Sequence, residues 1–145
     1  MAPENTCPLI GTWRLMGMYK KTEAGGREPP SQGWEQARGF LTYTPEGRMF
    51  ALLSRPDRGA IGYPDIDDAK RIGAHKSMVA YTGRYEFKGD YVLHHVDIAW
   101  IPEWENNPQR REVDLAGEKL TLTTPFGRRP DGSMASFALE WRRQG

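Results

Sequence analysis

Short β-rich runs, cut at regular intervals by glycine-bearing turns, constrain this chain more than any other feature. Thr44-Pro45-Glu46-Gly47 divides Gly39–Thr44 from Arg48–Ser54. Lys88-Gly89-Asp90 divides Tyr81–Phe87 from Tyr91–Ala99, and Ala116-Gly117-Glu118 divides Arg110–Leu115 from Lys119–Thr124. Each reads as a hairpin, two β-rich runs around a short loop. A first strand over Gly11–Tyr19 and a last over Met134–Arg142 bring the total to about eight. That number suits a small closed barrel with room for a ligand. The expected fold is all-β, an up-and-down antiparallel barrel.

One segment departs from this pattern. Between Pro64 and Val79, Ile66, Ala69, Ile72 and Val79 recur near helical spacing. Acids occupy the first turn and Lys76 lies near the end, which suits the helix dipole. Asp65 is the expected cap, while Gly73 weakens the pattern. This helix falls between the third and fourth strands, where it could close over the barrel mouth or lie on its wall, with Ile66, Ala69 and Ile72 facing the protein. Three loops, Thr22–Arg38, Arg55–Pro64 and Ile101–Gln109, are long and rich in Gly, Pro and charge. Such loops belong at the open, functional end of a barrel.

At 145 residues, with no internal repeat or linker, residues 1–145 read as one domain. Twenty Lys and Arg against nineteen Asp and Glu leave a formal charge of +1, so no global field draws nucleic acid or an anionic membrane. The basic pairs Arg110-Arg111, Arg128-Arg129 and Arg142-Arg143 lie among interleaved acids, and no aromatic–basic RNA motif accompanies them. No apolar run approaches the roughly 20 residues of a spanning helix. Met1 to Pro8 has neither the basic nor the apolar region of a secretory leader, and the single Cys7 allows no intrachain disulfide. A cytoplasmic location is expected. Aromatics make up 11% of the chain, enough both to fill a barrel and to line a pocket.

The runs Gly11-Thr12-Trp13-Arg14-Leu15 and Gly39-Phe40-Leu41-Thr42-Tyr43-Thr44-Pro45-Glu46-Gly47-Arg48-Met49 resemble those of the bacterial and fungal lipocalin-like domain family. So do Tyr81-Thr82-Gly83-Arg84-Tyr85-Glu86, His94-His95-Val96 with Pro102-Glu103-Trp104, and Leu120-Thr121-Leu122-Thr123-Thr124-Pro125. The likeness covers nearly the whole chain in order. It implies a lipocalin-type barrel whose first-strand Trp13 lies across the closed end. A basic side chain of the last strand, Arg142 or Arg143, would then rest over that Trp. It implies little about activity.

His94 is the first candidate for chemistry. Alternation puts it on one face with Val92, Val96, Ile98 and Trp100, and so inside the barrel. There an imidazole could act as general base or ligand anchor. The plainer reading is a core His satisfied by a Tyr or Thr hydroxyl. His95 and Asp97 share the opposite face, either as a solvated outer wall or, if the faces are inverted, as the site. Tyr43, Tyr81 and Tyr85 could each fix a polar group on a ligand or serve as filler. Arg48 or Arg84, if buried, would select a carboxylate or phosphate. Trp34, Trp100 and Trp104, in or beside long loops, could gate the mouth, cover the wall or make a homodimer contact. Three His and one Cys without ligand spacing point to no metal. No dinucleotide motif or nucleophile elbow is present, so no cofactor is expected.

Two functions follow. One is an intracellular cup for an apolar or aromatic small molecule, held by His94, Tyr43, Tyr81 and Tyr85 with Trp100, Trp104 and Arg48. The other is a cofactor-free isomerase, cyclase or dehydratase acting on a natural-product intermediate. In that reading His94 is the base and Tyr81 steadies the developing charge.

Overall fold

Eight strands close on themselves. The computed structural model describes residues 7–31, 33–129 and 131–145. In chain order the elements are β1 (Gly11–Thr22), β2 (Arg27–Glu28), β3 (Arg38–Tyr43), β4 (Arg48–Ser54), α1 (Asp68–Lys76), β5 (Met78–Phe87), β6 (Tyr91–Ala99), β7 (Gln109–Ala116), β8 (Lys119–Thr123), β9 (Gly127–Arg128) and β10 (Met134–Gln144). A 3-10 turn, Pro102–Trp104, lies between β6 and β7. The antiparallel order β1-β3-β4-β5-β6-β7-β8-β10 returns to β1, where pairing runs from Thr12↔Gln144 to Thr22↔Ala135. The two-residue strands β2 and β9 extend the wall beside β1 and β10.

The connections sort to the two ends. The three expected hairpins, β3–β4, β5–β6 and β7–β8, stand at one end with Trp13, as shown by Gly11↔Tyr43 and the bond from Arg143 N–H to the Glu118 carbonyl. The long connections stand at the other. At the closed end Trp13 is fully buried and its indole N–H donates to the Leu9 carbonyl at 2.9 Å. Of the two basic candidates, Arg143 fills the role. Its guanidinium stacks 4.2 Å from the Trp13 ring and donates to the carbonyls of Ile10 (2.8 Å) and Pro8 (2.7 Å), while Arg142 is exposed.

The inward face follows period-two alternation, with Leu41 and Tyr43 on β3, Met49, Ala51 and Leu53 on β4, and Leu120 and Leu122 on β8. It fails at two irregularities. Between Leu15 and Gly17 the β1–β10 register slips, and beyond it Met18, out of step with Trp13 and Leu15, packs against the core. In β6 the register steps from Gly83↔Val96 to Thr82↔Ile98, so Asp97 and Ile98 are both exposed. Ile98 is therefore outside, against its expected place with His94, because a bulge shifts the alternation by one. Gly83 sits where backbones nearly touch. A Cβ there would lie 2.1 Å from the His95 carbonyl oxygen, so only glycine fits.

The helix differs most from expectation. It spans Asp68–Lys76 rather than Pro64 to Val79, and Val79 lies in β5. Its cap is Asp67, which accepts from the Lys70 N–H at 2.9 Å, not Asp65. It lies between β4 and β5 rather than between a third and fourth strand, because Arg27–Glu28 adds a short strand ahead of it. None of its residues is buried; Ala69 is exposed and Ile72 is 55% exposed. The apolar positions expected to face the protein thus point largely to solvent. The helix is tied down at its C-terminal end, where Ser77 is buried and His75 Nε2 meets the Trp100 carbonyl at 3.1 Å.

Candidate functional site

Inside the barrel is a cavity of about 390 Å³, within the range of small-molecule sites. Leu41, Ala51 and Leu53 line it from β3 and β4, and Leu122, Leu139 and Trp141 from β8 and β10. The long connections supply the rest. Trp34 comes from the β2–β3 segment, Ile101 and Trp104 follow β6, and Thr124 and Arg129 come from the chain between β8 and β10. The Arg55–Pro64 loop, expected at the mouth, instead borders an outer groove with α1. There Arg55 pairs with Asp57 and Arg58 donates to Ser77 Oγ at 2.8 Å. The helix contributes nothing to the cavity lining.

At its polar point stands His94, 1% exposed on β6 between Val92 and Val96. Both ring nitrogens have partners: the Tyr43 hydroxyl lies 2.7 Å from Nε2 and the Tyr81 hydroxyl 2.9 Å from Nδ1. A neutral imidazole has one N–H and one lone pair, so one tyrosine accepts and the other donates. Burial, reinforced by the charges of Arg111 and His95, pushes the His94 pKa down to about 3. The ring is therefore neutral at physiological pH. Burial likewise raises Tyr43, whereas at Tyr81 the Arg111 guanidinium works against the upward effect of burial. Tyr85 is pushed up to about 12, again chiefly by burial.

These groups form one aromatic series from rim to closed end. Ring centroids are 5.1 Å apart for Trp100–Trp104, 5.2 Å for Trp104–Tyr81, and 5.7 Å for each of Tyr81–His94 and His94–Tyr43. The last step, Tyr43–Tyr85, is 4.9 Å. The tilted and edge-on geometry is the favoured one for aromatic pairs. Of the residues singled out in the sequence, His94, Tyr81, Trp100, Trp104 and Trp34 line the cavity. Tyr43 and Tyr85 do not; they lie behind His94, where the Tyr85 hydroxyl donates to the Thr44 carbonyl at 2.7 Å.

Arg48 is on the outer wall, paired with Asp97 at 2.7 Å, and has no place in the cavity. Its position as first residue of β4 put it on the face opposite Met49, Ala51 and Leu53. Arg84 is exposed. His95 bonds Glu86 at 2.6 Å, and with Asp97 it belongs to the outer wall.

Among the lining residues outside that reading are Arg111, Arg129 and Trp141. A signal existed for Arg111. On β7 it alternates with Val113 and Leu115, and all three are half-buried while Arg110, Glu112 and Asp114 are exposed. Trp141 is 2% exposed, and its indole N–H has no acceptor among the described residues.

A closed antiparallel barrel with an internal cavity, plugged at one end by a first-strand Trp under a last-strand Arg, defines the class of lipocalin-type barrels. The chain belongs to the lipocalin-like domain family, whose model matches residues 10–144. No curated protein matches it. Among solved structures, the chain is similar to a lipoprotein, YedD, from Klebsiella pneumoniae, at 12% identity and a TM-score of 0.42, over 94% of this chain and 71% of that one. It is also similar to an uncharacterized protein from Bacteroides eggerthii, at 12% identity and a TM-score of 0.44, over 94% of this chain and 99% of the other. No helix among the described residues is long and apolar enough to cross a membrane.

Proposed function

We propose that the protein holds an apolar or aromatic small molecule inside its barrel. The observation that carries this is the cavity itself, about 390 Å³ and walled by Leu53, Leu122, Leu139 and several tryptophans. An apolar space of that size binds organic molecules through the area they remove from water. Tyr81 supplies a polar anchor, Trp100 and Trp104 supply stacking surfaces, and His94, itself held by Tyr43, fixes the Tyr81 hydroxyl. The single cysteine fits the cytoplasmic setting in which such a cup would act.

Nothing in the geometry favours the alternative of a cofactor-free isomerase, cyclase or dehydratase with His94 as base. Both nitrogens of that ring are already hydrogen-bonded to tyrosines, so its lone pair is engaged. Of the two tyrosines only Tyr81 lines the cavity.

The test is binding of Nile red, a neutral apolar fluorophore, together with native mass spectrometry of freshly purified protein. Wild-type protein should enhance Nile red emission or retain a small molecule. Leu139→Trp, which fills the cavity, should remove both while leaving the β-sheet circular dichroism unchanged. A wild-type protein that retains nothing and leaves the dye dark would overturn the reading.

A further inference from the structure

The charge inside the cup is one-sided. The chain as a whole is balanced, with twenty cationic and nineteen anionic side chains. Yet, among the described residues, those lining the cavity include Arg111 and Arg129 and not one Asp or Glu. Arg111 is the more telling of the two. It stands on the inward face of β7, ahead of Val113 and Leu115, with its guanidinium 5.7 Å from the Trp104 ring. Among the described residues it joins no ion pair. Its Nη1 donates to the Arg110 carbonyl at 2.8 Å, and its guanidinium also lies beside the Tyr81 hydroxyl. A guanidinium carries five N–H donors in a planar fork that matches a carboxylate. Holding such a group half-buried against apolar walls without a counter-charge is costly. An anion entering the cavity would remove that cost.

We propose that the cup selects a carboxylate-bearing ligand, with its anionic end on Arg111 beside the Tyr81 hydroxyl and its apolar body against Leu122, Leu139 and Trp141. This rests on the cavity-binding reading above and adds the charge of the ligand to it. In the Nδ1–H tautomer of His94, Tyr43 donates to Nε2 and Tyr81 accepts from Nδ1, which leaves the Tyr81 proton free for a carboxylate shared with Arg111. Arg129 adds a weaker positive field. Its guanidinium lies over the Phe137 ring at 4.9 Å and donates to Ser31 Oγ at 3.3 Å, and the nearby Asp131 offsets part of its charge. The basic pair Arg110-Arg111, which looks in the sequence like a surface doublet, is thereby divided. Arg110 points outward and pairs with Glu112, and Arg111 points inward.

Calorimetric titration with two matched pairs of probes tests the proposal: decanoic acid against decanol, and 2-naphthoic acid against 2-naphthalenemethanol. Each pair keeps its apolar body and changes only the charge. The acid should bind at least about tenfold more tightly than its alcohol, the discrimination expected of a charge-assisted, two-pronged contact. The pair showing the tighter acid tells whether the body is alkyl or aromatic. Arg111→Met should erase the acid preference and leave alcohol binding within about twofold. Arg111→Lys, which keeps the charge, should restore most of the preference and controls for misfolding of the methionine variant. Acid and alcohol binding equally to the wild type, or an acid preference that survives Arg111→Met, would overturn the anion proposal and leave the cup standing. Absence of binding by all four probes would overturn both.

Discussion

Two buried tryptophans in the same barrel make opposite use of the indole N–H. That of Trp13 is satisfied by the Leu9 carbonyl, and that of Trp141 has no acceptor among the described residues. Replacing either by Phe leaves a similar void, but only Trp13→Phe strands a buried carbonyl. Trp13→Phe should therefore cost about 1–3 kcal/mol more than Trp141→Phe in urea unfolding. Equal losses would mean that Trp141 has a partner or that Trp13 does not need its own. His94 gives a second contrast at this scale. The folded protein refuses at this ring a proton that the unfolded chain takes up near pH 6.5. Unfolding therefore gains a proton as pH falls. The His94 contribution is fully present above pH 6.5 and is lost toward pH 3, at up to about 1.4 kcal/mol per pH unit. Unfolding curves at pH 7, 6 and 5 should show a steeper loss for the wild type than for His94→Phe. Parallel losses would show that the ring titrates normally and is not desolvated.

Helix α1 shows how an element can have the right residues and still be placed by its surroundings. Ile66, Ala69 and Ile72 have helical spacing, but the helix is short and is anchored by its cap and its C-terminal end rather than by a buried face. Ile72→Asp should shift global stability by less than about 0.5 kcal/mol, as exposed substitutions do. Asp67→Ala should remove the bond to the Lys70 N–H, a cap worth about 1 kcal/mol to the helix. Amide exchange across residues 68–76 should then rise while β1 and β10 keep their protection. A drop in global stability on Ile72→Asp would show that the helix docks through that face. The strands of the closed barrel behave differently because each one has a neighbour on both sides. Their hairpin turns were legible in the residues, and so were their inward faces, until the bulge after Val96 displaced Ile98.

For the molecule as a whole, closure is the event that makes the cup, and it joins residues more than a hundred positions apart. β1 meets β10 along nearly its full length, and Arg143 locks the junction by stacking on Trp13 and bonding the Ile10 and Pro8 carbonyls. Arg143→Ala should cost about 1.5–3 kcal/mol, the range for hydrogen bonds made by a charged donor. Arg142→Ala, one residue away and exposed, should cost less than about 0.5 kcal/mol in the same denaturation experiment. Equal effects would place the lock elsewhere.

Period-two alternation and turn residues are local properties. They sufficed for the strands of the barrel and the inward place of His94, while the Trp13 plug came from the likeness to the lipocalin-like family. Whether an inward residue touches the cavity is another matter, decided by its depth along the barrel and by what the other seven strands bring to the same level. Tyr43, Tyr81 and Tyr85 look alike in the chain, yet only Tyr81 reaches the cavity. Arg48 and Arg111 each adjoin an apolar strand face, but the first has Asp97 within reach on the outer wall. The second turns inward, with no carboxylate among the described residues around the cavity. Ion pairs and cavity walls depend on distances between segments remote in the chain, so they exist only once the barrel has closed.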